Sequence, residues 1–137
     1  MTTPVIKTPI PEAARSLVAH RLFGIHFPIR LEPFVFHIAG HLAKDYAGGR
    51  WVFYRLSNGG FYMAPDVDRH FRVSCDNHYE GTLSADALGI VACLYAYSHL
   101  SFAQNERLGR LYADHYHLLK EHITEHPELE AILRAID

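Results

Sequence analysis

Two aromatic-rich stretches flank Asn58-Gly59-Gly60, and this pattern predicts a β-hairpin. Asn and Gly tolerate the positive φ values that tight hairpin turns require, and aromatic and β-branched residues suit the strands on either side. In the first stretch, residues 51–56, both faces of the strand are largely apolar. We therefore expect the hairpin to be covered on both sides, or to keep one aromatic face for a partner.

Apolar residues at helical spacing predict about five helices around this hairpin. The expected spans are 11–24, 32–46, 85–102, 105–125 and a last short helix from 127 onward. The third span is apolar nearly all round and is expected to be the central buried helix. Ser84 suits its N-cap, and Asp86 lies in the first turn, where the helix dipole favours an anion.

Alternating apolar residues in 67–76 predict a third strand, and residues 77–81 predict a turn. Residues 1–8 are expected to form a loose N-terminal arm, and residues 25–28 a short connector between helices. The order of elements predicts an α+β fold. We expect a single domain over 1–137, in which a small three-stranded antiparallel meander packs against about five helices.

The charge balance argues against strong nucleic-acid binding. Thirteen basic residues oppose 15 acidic ones, for a net charge of −2, and no basic stripe is evident. The same balance argues against a protein that imitates DNA, which needs dense carboxylates; residues 104–137 hold seven acids and four bases. Neither a secretory signal nor a long apolar membrane-spanning run is evident, so a cytoplasmic protein without membrane contact is expected.

Neither a metal site nor catalysis is favoured by the motifs. Eleven histidines include two pairs at i and i+4, His37 with His41 and His122 with His126, as in helical metal sites. No H-E-x-x-H motif or supporting carboxylate accompanies them, so hydrogen-bonded structural histidines are favoured. Cys75 and Cys93 are expected to be buried free thiols. No nucleophile or nucleotide-binding motif occurs, and we predict a non-enzyme with no catalytic residue, metal or cofactor.

Polar and aromatic residues near the ends of the predicted strands form the candidate partner-binding set, because loops on a rigid scaffold concentrate binding residues. The set is Arg50, Trp51, Asn58, Tyr62, Asn77, Tyr79, Glu80 and Asp86. A structural alternative stays open: the asparagines serve turns, Asp86 serves the helix dipole, and the tyrosines pack at edges.

Several segments together resemble the ArdB/KlcA antirestriction family, over most of the chain from about Leu31 onward. The similarity is carried by residues 50–54, 56–65, 77–81, 83–87, 89–90, 93–96, 98–102, 126–128 and 135–137. The N-terminal thirty residues contribute little. Agreement across so many segments is far more specific than any single short motif.

The resemblance implies protection of incoming plasmid or other mobile DNA from host type I restriction-modification enzymes. It supplies no catalytic or binding residue for this chain. Since the charge disfavours DNA mimicry, the expected partner is the type I restriction enzyme, or a host factor controlling it, bound through an uncharged aromatic surface. The alternative is a DNA-binding or protein-binding regulator encoded on a mobile element, without catalytic activity.

Overall fold

The computed structural model describes residues 3–137, and the α+β class predicted from the sequence is confirmed. The helices of this part are α1 (Arg15–Phe23), α2 (Glu32–Leu42), α3 (Ala85–Leu100), α4 (Glu106–Ile123) and α5 (Leu129–Ile136). The strands are β1 (Lys7–Pro9), β2 (Trp51–Leu56), β3 (Phe61–Pro65), β4 (His70–Ser74) and β5 (Glu80–Ser84). A 3-10 turn (Glu12–Ala14) precedes α1, and a π-helical turn (Phe27–Leu31) precedes α2.

The predicted hairpin is confirmed as β2 and β3, which pair antiparallel with Tyr54 opposite Tyr62. Gly59 adopts a φ of 94°, which the left-handed side of the turn requires. The backbone N–H of Gly60 donates to Oδ1 of Asn58 at 3.0 Å, so the asparagine side chain closes the turn.

The third strand of this sheet is β1, not the segment expected. Lys7 lies opposite Leu56 in an antiparallel ladder that continues with Ile10 N–H donating to Phe53 O at 2.8 Å. The prediction of a loose arm over 1–8 is therefore wrong for Lys7 and Thr8; Met1 and Thr2 lie outside the described residues. A three-residue strand that ends in proline is too short to show an alternation of apolar and polar residues. Its pairing is set by contact with β2.

A strand does form within the predicted span 67–76, but it belongs to a second sheet. Its pairing with the hairpin was predicted wrongly: β4 pairs antiparallel with β5, where His70 lies opposite Ser84. The predicted turn is correspondingly shorter, because Glu80 and Gly81 belong to β5. The chain leaves the first sheet directly after β3, where Asp66 N–H donates to Arg50 O at 2.8 Å.

Helix α3 is the buried centre of the molecule, as predicted. Its N-cap is Ser84, whose Oγ accepts from Ala87 N–H at 3.1 Å. It packs against β3, α2, α4 and α5. Gly89 allows the helix backbone to meet β3 directly, since a Cβ there would overlap the Met63 carbonyl oxygen. The Tyr97 hydroxyl donates to Phe61 O at 2.6 Å, which ties the helix to the outer strand of the hairpin.

Both faces of the hairpin are covered by other elements, which confirms the first of the two alternatives that the sequence predicted. On one face the Phe53 and Phe61 rings pack against Phe27 of the π-helical turn, at 5.5 and 5.7 Å between centroids. The predicted connector over 25–28 thus contains the start of a helical turn. On the other face Tyr62 stacks with Tyr54 at 4.9 Å and with His122 of α4 at 5.7 Å.

Two further observations bear on the sequence predictions. Cys75 and Cys93 are both buried and free, as predicted. No helix within residues 3–137 combines the length and apolarity needed to cross a membrane.

Candidate functional site

A polar cluster gathers around the carboxylate of Asp86, in the first turn of α3. Oδ1 of Asp86 accepts from the Tyr62 hydroxyl at 2.6 Å and from Lys7 Nζ at 2.9 Å. Its Oδ2 accepts from His126 Nε2 at 2.8 Å. We call Lys7, Tyr62, Asp86 and His126 the Asp86 cluster.

Four elements position these side chains. Lys7 comes from β1, Tyr62 is the second residue of β3, and Asp86 comes from a helix start that the Ser84 cap fixes. His126 lies in the turn between α4 and α5, where Pro127 disfavours a helical conformation for the residue before it. The contacts span 79 residues of chain for Lys7 and 40 for His126. The cluster therefore joins parts of the chain that are remote in sequence.

The hydrogen bonds fix the tautomer of His126. Glu128 N–H donates to Nδ1 of His126 at 3.0 Å, so Nδ1 is an acceptor and carries no hydrogen. Nε2 must then carry the hydrogen that it donates to Asp86. With its side chain only 9% exposed, His126 has both ring nitrogens engaged inside the protein. It has no free nitrogen with which to bind a metal or take up a substrate proton.

The ionisation states of the cluster follow from these contacts. Burial alone would raise the pKa of Asp86, but the hydrogen bonds from His126, Tyr62 and Lys7, together with the lysine charge, hold it well below its usual value. Burial and the neighbouring Asp86 charge raise the pKa of Tyr62 far above that of a free tyrosine. At neutral pH Asp86 is a carboxylate, and Tyr62 is a neutral donor to it.

A second carboxylate extends the network. Glu128 accepts from the backbone N–H of Ser84 at 2.9 Å and from its hydroxyl at 2.5 Å. The segment 126–128 is thus fastened to the junction of β5 and α3 by Glu128 and to the first turn of α3 by His126.

A cleft of about 490 Å³ opens beside the cluster, and His122 lines it with Lys7, Asp86 and Glu125. Nδ1 of His122 contacts the Val5 carbonyl oxygen at 3.1 Å and must donate to it, so in the neutral ring Nε2 is an unprotonated acceptor. This Nε2 is buried and has no hydrogen-bond partner among residues 3–137. Burial lowers the pKa of His122, against the opposing effect of the Val5 contact. The cleft is therefore lined by carboxylates and one lysine ammonium, groups suited to polar contacts.

Of the predicted partner-binding residues, the structure brings Tyr62 and Asp86 into contact. Trp51 is buried, and its Nε1 donates to the Tyr46 hydroxyl at 2.8 Å. Arg50 is exposed and pairs with Glu12 at 3.1 Å. These contacts place Trp51 in the core and Arg50 on the surface.

The remaining predicted residues lie elsewhere. Asn58, at the opposite end of the hairpin from Arg50, donates to Leu118 O at 2.9 Å. Asn77 donates to Arg134 O at 2.9 Å, near the end of α5. Tyr79 is half-buried, and the exposed Glu80 begins β5, at the opposite end of that strand from Asp86. Both asparagines thus make structural contacts, and a role of this set in partner binding stays a prediction.

Sequence reasoning left Lys7, His122, His126 and Glu128 out of the candidate set, although it noted the pair His122 and His126 and favoured hydrogen-bonded histidines there. A signal existed for two of them, since residues 83–87 and 126–128 are among the segments that carried the family resemblance, and these segments meet at the Asp86 cluster. Lys7 gave no signal, because it lay in the segment expected to be a loose arm.

Comparison with known proteins identifies the family. A family model described as antirestriction protein matches residues 44–137. Antirestriction protein KlcA of Escherichia coli is 44% identical, over 98% of this chain and 95% of that protein. Protein YafX of Escherichia coli K12 is 41% identical, over 95% of this chain and 86% of that protein.

The fold comparison agrees. A solved structure matches with a TM-score of 0.91 and 38% identity, over 100% of this chain and 98% of that one. It comes from a description of KlcA and ArdB proteins as having a novel fold and antirestriction activity against type I DNA restriction systems in vivo but not in vitro. The predicted resemblance is confirmed, and the chain belongs to the antirestriction protein family.

Proposed function

We propose that this protein is an antirestriction protein that protects incoming DNA from type I restriction enzymes. The observation that carries the proposal is the TM-score of 0.91, over the whole chain, to a structure from the KlcA and ArdB proteins with that activity. The 44% identity to Escherichia coli KlcA over nearly the full length supports the same function.

The proposed mechanism is not charge-based imitation of DNA. Six of the 15 acidic residues contact a basic side chain or, for Glu128, a serine: Glu12, Asp45, Asp76, Asp86, Glu128 and Glu130. On α4, Glu106 and Asp114 are interleaved with Arg107 and Arg110. Dispersed and partly neutralised carboxylates do not reproduce the dense charge of a DNA backbone.

We further propose that the protein acts through a protein target. Activity of the KlcA and ArdB proteins in vivo but not in vitro supports a requirement for a cellular setting or component. The target is then the type I restriction enzyme in its cellular state, or a host factor that controls it. In the Asp86 cluster the polar groups are engaged with one another, which supports a structural role for them rather than a catalytic one. Among the residues predicted to bind a partner, Arg50, Asn77 and Glu80 are exposed and accessible to it.

The function is tested by plating unmodified phage on a host with a type I restriction system, with and without expression of this protein. Protection predicts a higher plating efficiency when the protein is present, and no change on an isogenic host that lacks the restriction system. Equal plating on the restricting host would refute the proposed function.

The mechanism is tested with a variant whose exposed carboxylates on and after α4 are neutralised. The four substitutions are Glu106→Gln, Asp114→Asn, Glu121→Gln and Glu125→Gln. We expect the folded variant to protect as well as the parent protein. Loss of protection with an unchanged circular dichroism spectrum and melting temperature would instead support imitation of DNA as the mechanism.

A further inference from the structure

Residues 25–33, between α1 and the body of α2, form an apolar ridge on the surface. Phe27 and Leu31 of the π-helical turn are buried in the core, which leaves Ile29 outside, where it is 69% exposed. Ile25, at the start of the ridge, is 58% exposed. Ile25 lines a cleft of about 460 Å³ beside α1, and Ile29 lines another of about 320 Å³ beside the end of α3. The ridge therefore presents two aliphatic side chains between two clefts.

A π-helical turn builds this ridge. The N–H of Glu32 donates to the carbonyl oxygen of Phe27, five residues earlier, where an α-helix would use the residue four earlier. Such turns are rare and occur frequently at functional sites. Pro28 and Pro33 fix the backbone on either side of Ile29. The exposed side chains therefore stand on a restrained backbone, which has little freedom to lose on binding.

Exposed apolar side chains and positive charge both concentrate here. Of the six large apolar side chains exposed within residues 3–137, three are Leu17, Ile25 and Ile29. Residues 13–31 contain three arginines, two histidines and no acidic residue. This segment contributes +3 to a chain whose net charge is −2, so the rest of the chain carries −5. A basic and apolar surface thus belongs to an otherwise acidic protein.

Two of the three arginines are free to meet a partner. Arg21 and Arg30 are exposed, and neither forms an ion pair or a side-chain hydrogen bond within the described chain. Arginine beside apolar side chains, without lysine, is typical of protein–protein interfaces. Unpaired guanidinium groups favour a surface that supplies carboxylates. The chemistry of the ridge therefore fits an acidic protein surface.

Nucleic acid and membranes fit this surface less well. Two free arginines separated by aliphatic side chains are too sparse to follow a phosphate backbone. The exposed side chains of residues 13–31 include neither lysine nor an aromatic residue, unlike those of helices that lie on membranes.

We propose that the 25–33 ridge, together with Arg21, binds a protein partner whose contact surface carries carboxylates around an apolar groove. Ile25 and Ile29 enter the groove, and Arg21 and Arg30 pair with the carboxylates at its rim. The proposal deepens the proposed function by giving the chemistry of the protein target, and its test in cells rests on that function.

Plating on the restricting host tests the use of the ridge in cells. Ile25→Ser combined with Ile29→Ser, and separately Arg21→Glu combined with Arg30→Glu, should each lower protection at least about tenfold. Arg21→Lys combined with Arg30→Lys keeps the charge and should retain most of the protection. If the parent protein protects and both ridge variants protect equally well, the surface is refuted.

Matched controls change exposed residues elsewhere. Val67→Ser removes an exposed apolar side chain, and Arg72→Glu reverses an exposed arginine that forms no ion pair within the described chain. Both controls should protect as the parent does. All variants should melt within about 2 °C of the parent protein, because the altered side chains are exposed. An equal loss of protection in the controls would overturn the assignment to the ridge.

Purified protein tests the chemistry without a restriction system. The probe is a synthetic amphipathic helical peptide of leucine and glutamate, titrated into isotope-labelled protein while backbone amides are followed by NMR. We expect saturable shifts at Ile25 and Ile29, and binding at least about tenfold weaker when lysine replaces glutamate in the peptide. Absence of saturable shifts, or equal binding of the lysine peptide, would refute the ridge.

Vesicles of phosphatidylglycerol and a short DNA duplex are the competing probes. Tighter binding of either one than of the glutamate peptide would overturn the assignment to a protein partner. A parent protein that binds the glutamate peptide but does not protect phage would refute the proposed function and support the ridge, so the two failures are distinguishable.

Discussion

The substitution Asp86→Asn tests the energetic role of the Asp86 cluster. Tyr62 and His126 donate to the carboxylate from buried positions, so each would be left with a weaker or missing acceptor, at roughly 1–3 kcal/mol apiece and not fully additive. The ion pair with Lys7 adds little, about 1 kcal/mol at most, because the lysine side chain is 39% exposed. We expect a loss of about 2–4 kcal/mol in the free energy of unfolding.

Thermal unfolding at pH 7 measures this loss. For a domain of this size 1 kcal/mol corresponds to roughly 3 °C, so the variant should melt about 6–12 °C lower. Asp68→Asn is the matched control, since Asp68 is exposed and its side chain makes no hydrogen bond or ion pair within the described chain. The control should melt within about 2 °C of the parent protein.

The pH dependence provides an independent check of the same reasoning. Despite its burial, Asp86 has a folded-state pKa below that of an unfolded aspartate, about 3.9, owing to its hydrogen bonds. The contribution of Asp86 to the free energy of unfolding is therefore complete above about pH 5. It is lost as the pH falls below about 4, because the unfolded chain binds the proton first. The stability gap between parent and variant should narrow over that range. A gap that is absent at pH 7, or that stays constant down to pH 3, would refute the assignment.

Three further substitutions probe the packing and charge of the fold. Gly89→Ala should cost at least about 2 kcal/mol in urea unfolding, because the new methyl overlaps the Met63 carbonyl oxygen; an equally stable variant would contradict the close approach. Burial, with a contribution from Arg55, lowers the pKa of His115 to about 4, so the parent protein should lose on the order of 3 kcal/mol as the pH falls from 6.5 to 4. The His115→Phe variant should not show this loss when its melting temperature is measured as a function of pH. Stability curves that run parallel for the parent protein and the variant would disprove the role of His115. Glu12→Gln removes an ion pair whose side chains are more than two-thirds exposed, and should change stability by less than about 1 kcal/mol.

Local signals predicted the elements whose sequences carry a complete pattern. The hairpin has a turn sequence and two aromatic strands, and α3 has a cap and a long apolar run, so both formed close to the expected positions. Strand β1 had no such signal, because three residues ending in Pro9 show no alternation. Which strand pairs with which is a long-range choice, and this is why β4 was assigned to the wrong sheet.

The candidate site shows the same division. Asp86 and Tyr62 were identified because each stood in a segment of clear structure, a helix start and a strand. Their partners Lys7 and His126 come from 79 and 40 residues away along the chain from Asp86, and no spacing rule connects such positions. The predicted helices over 105–125 and from 127 onward left His126 between them, as in the structure, but gave no indication that its ring contacts Asp86.

The contacts of the Asp86 cluster also determine how loss of function should be interpreted. The cluster joins β1, the hairpin, α3 and the turn between α4 and α5, so a substitution within it lowers stability whether or not a partner binds there. Reduced protection by an Asp86 variant is therefore informative only at a temperature where that variant remains folded.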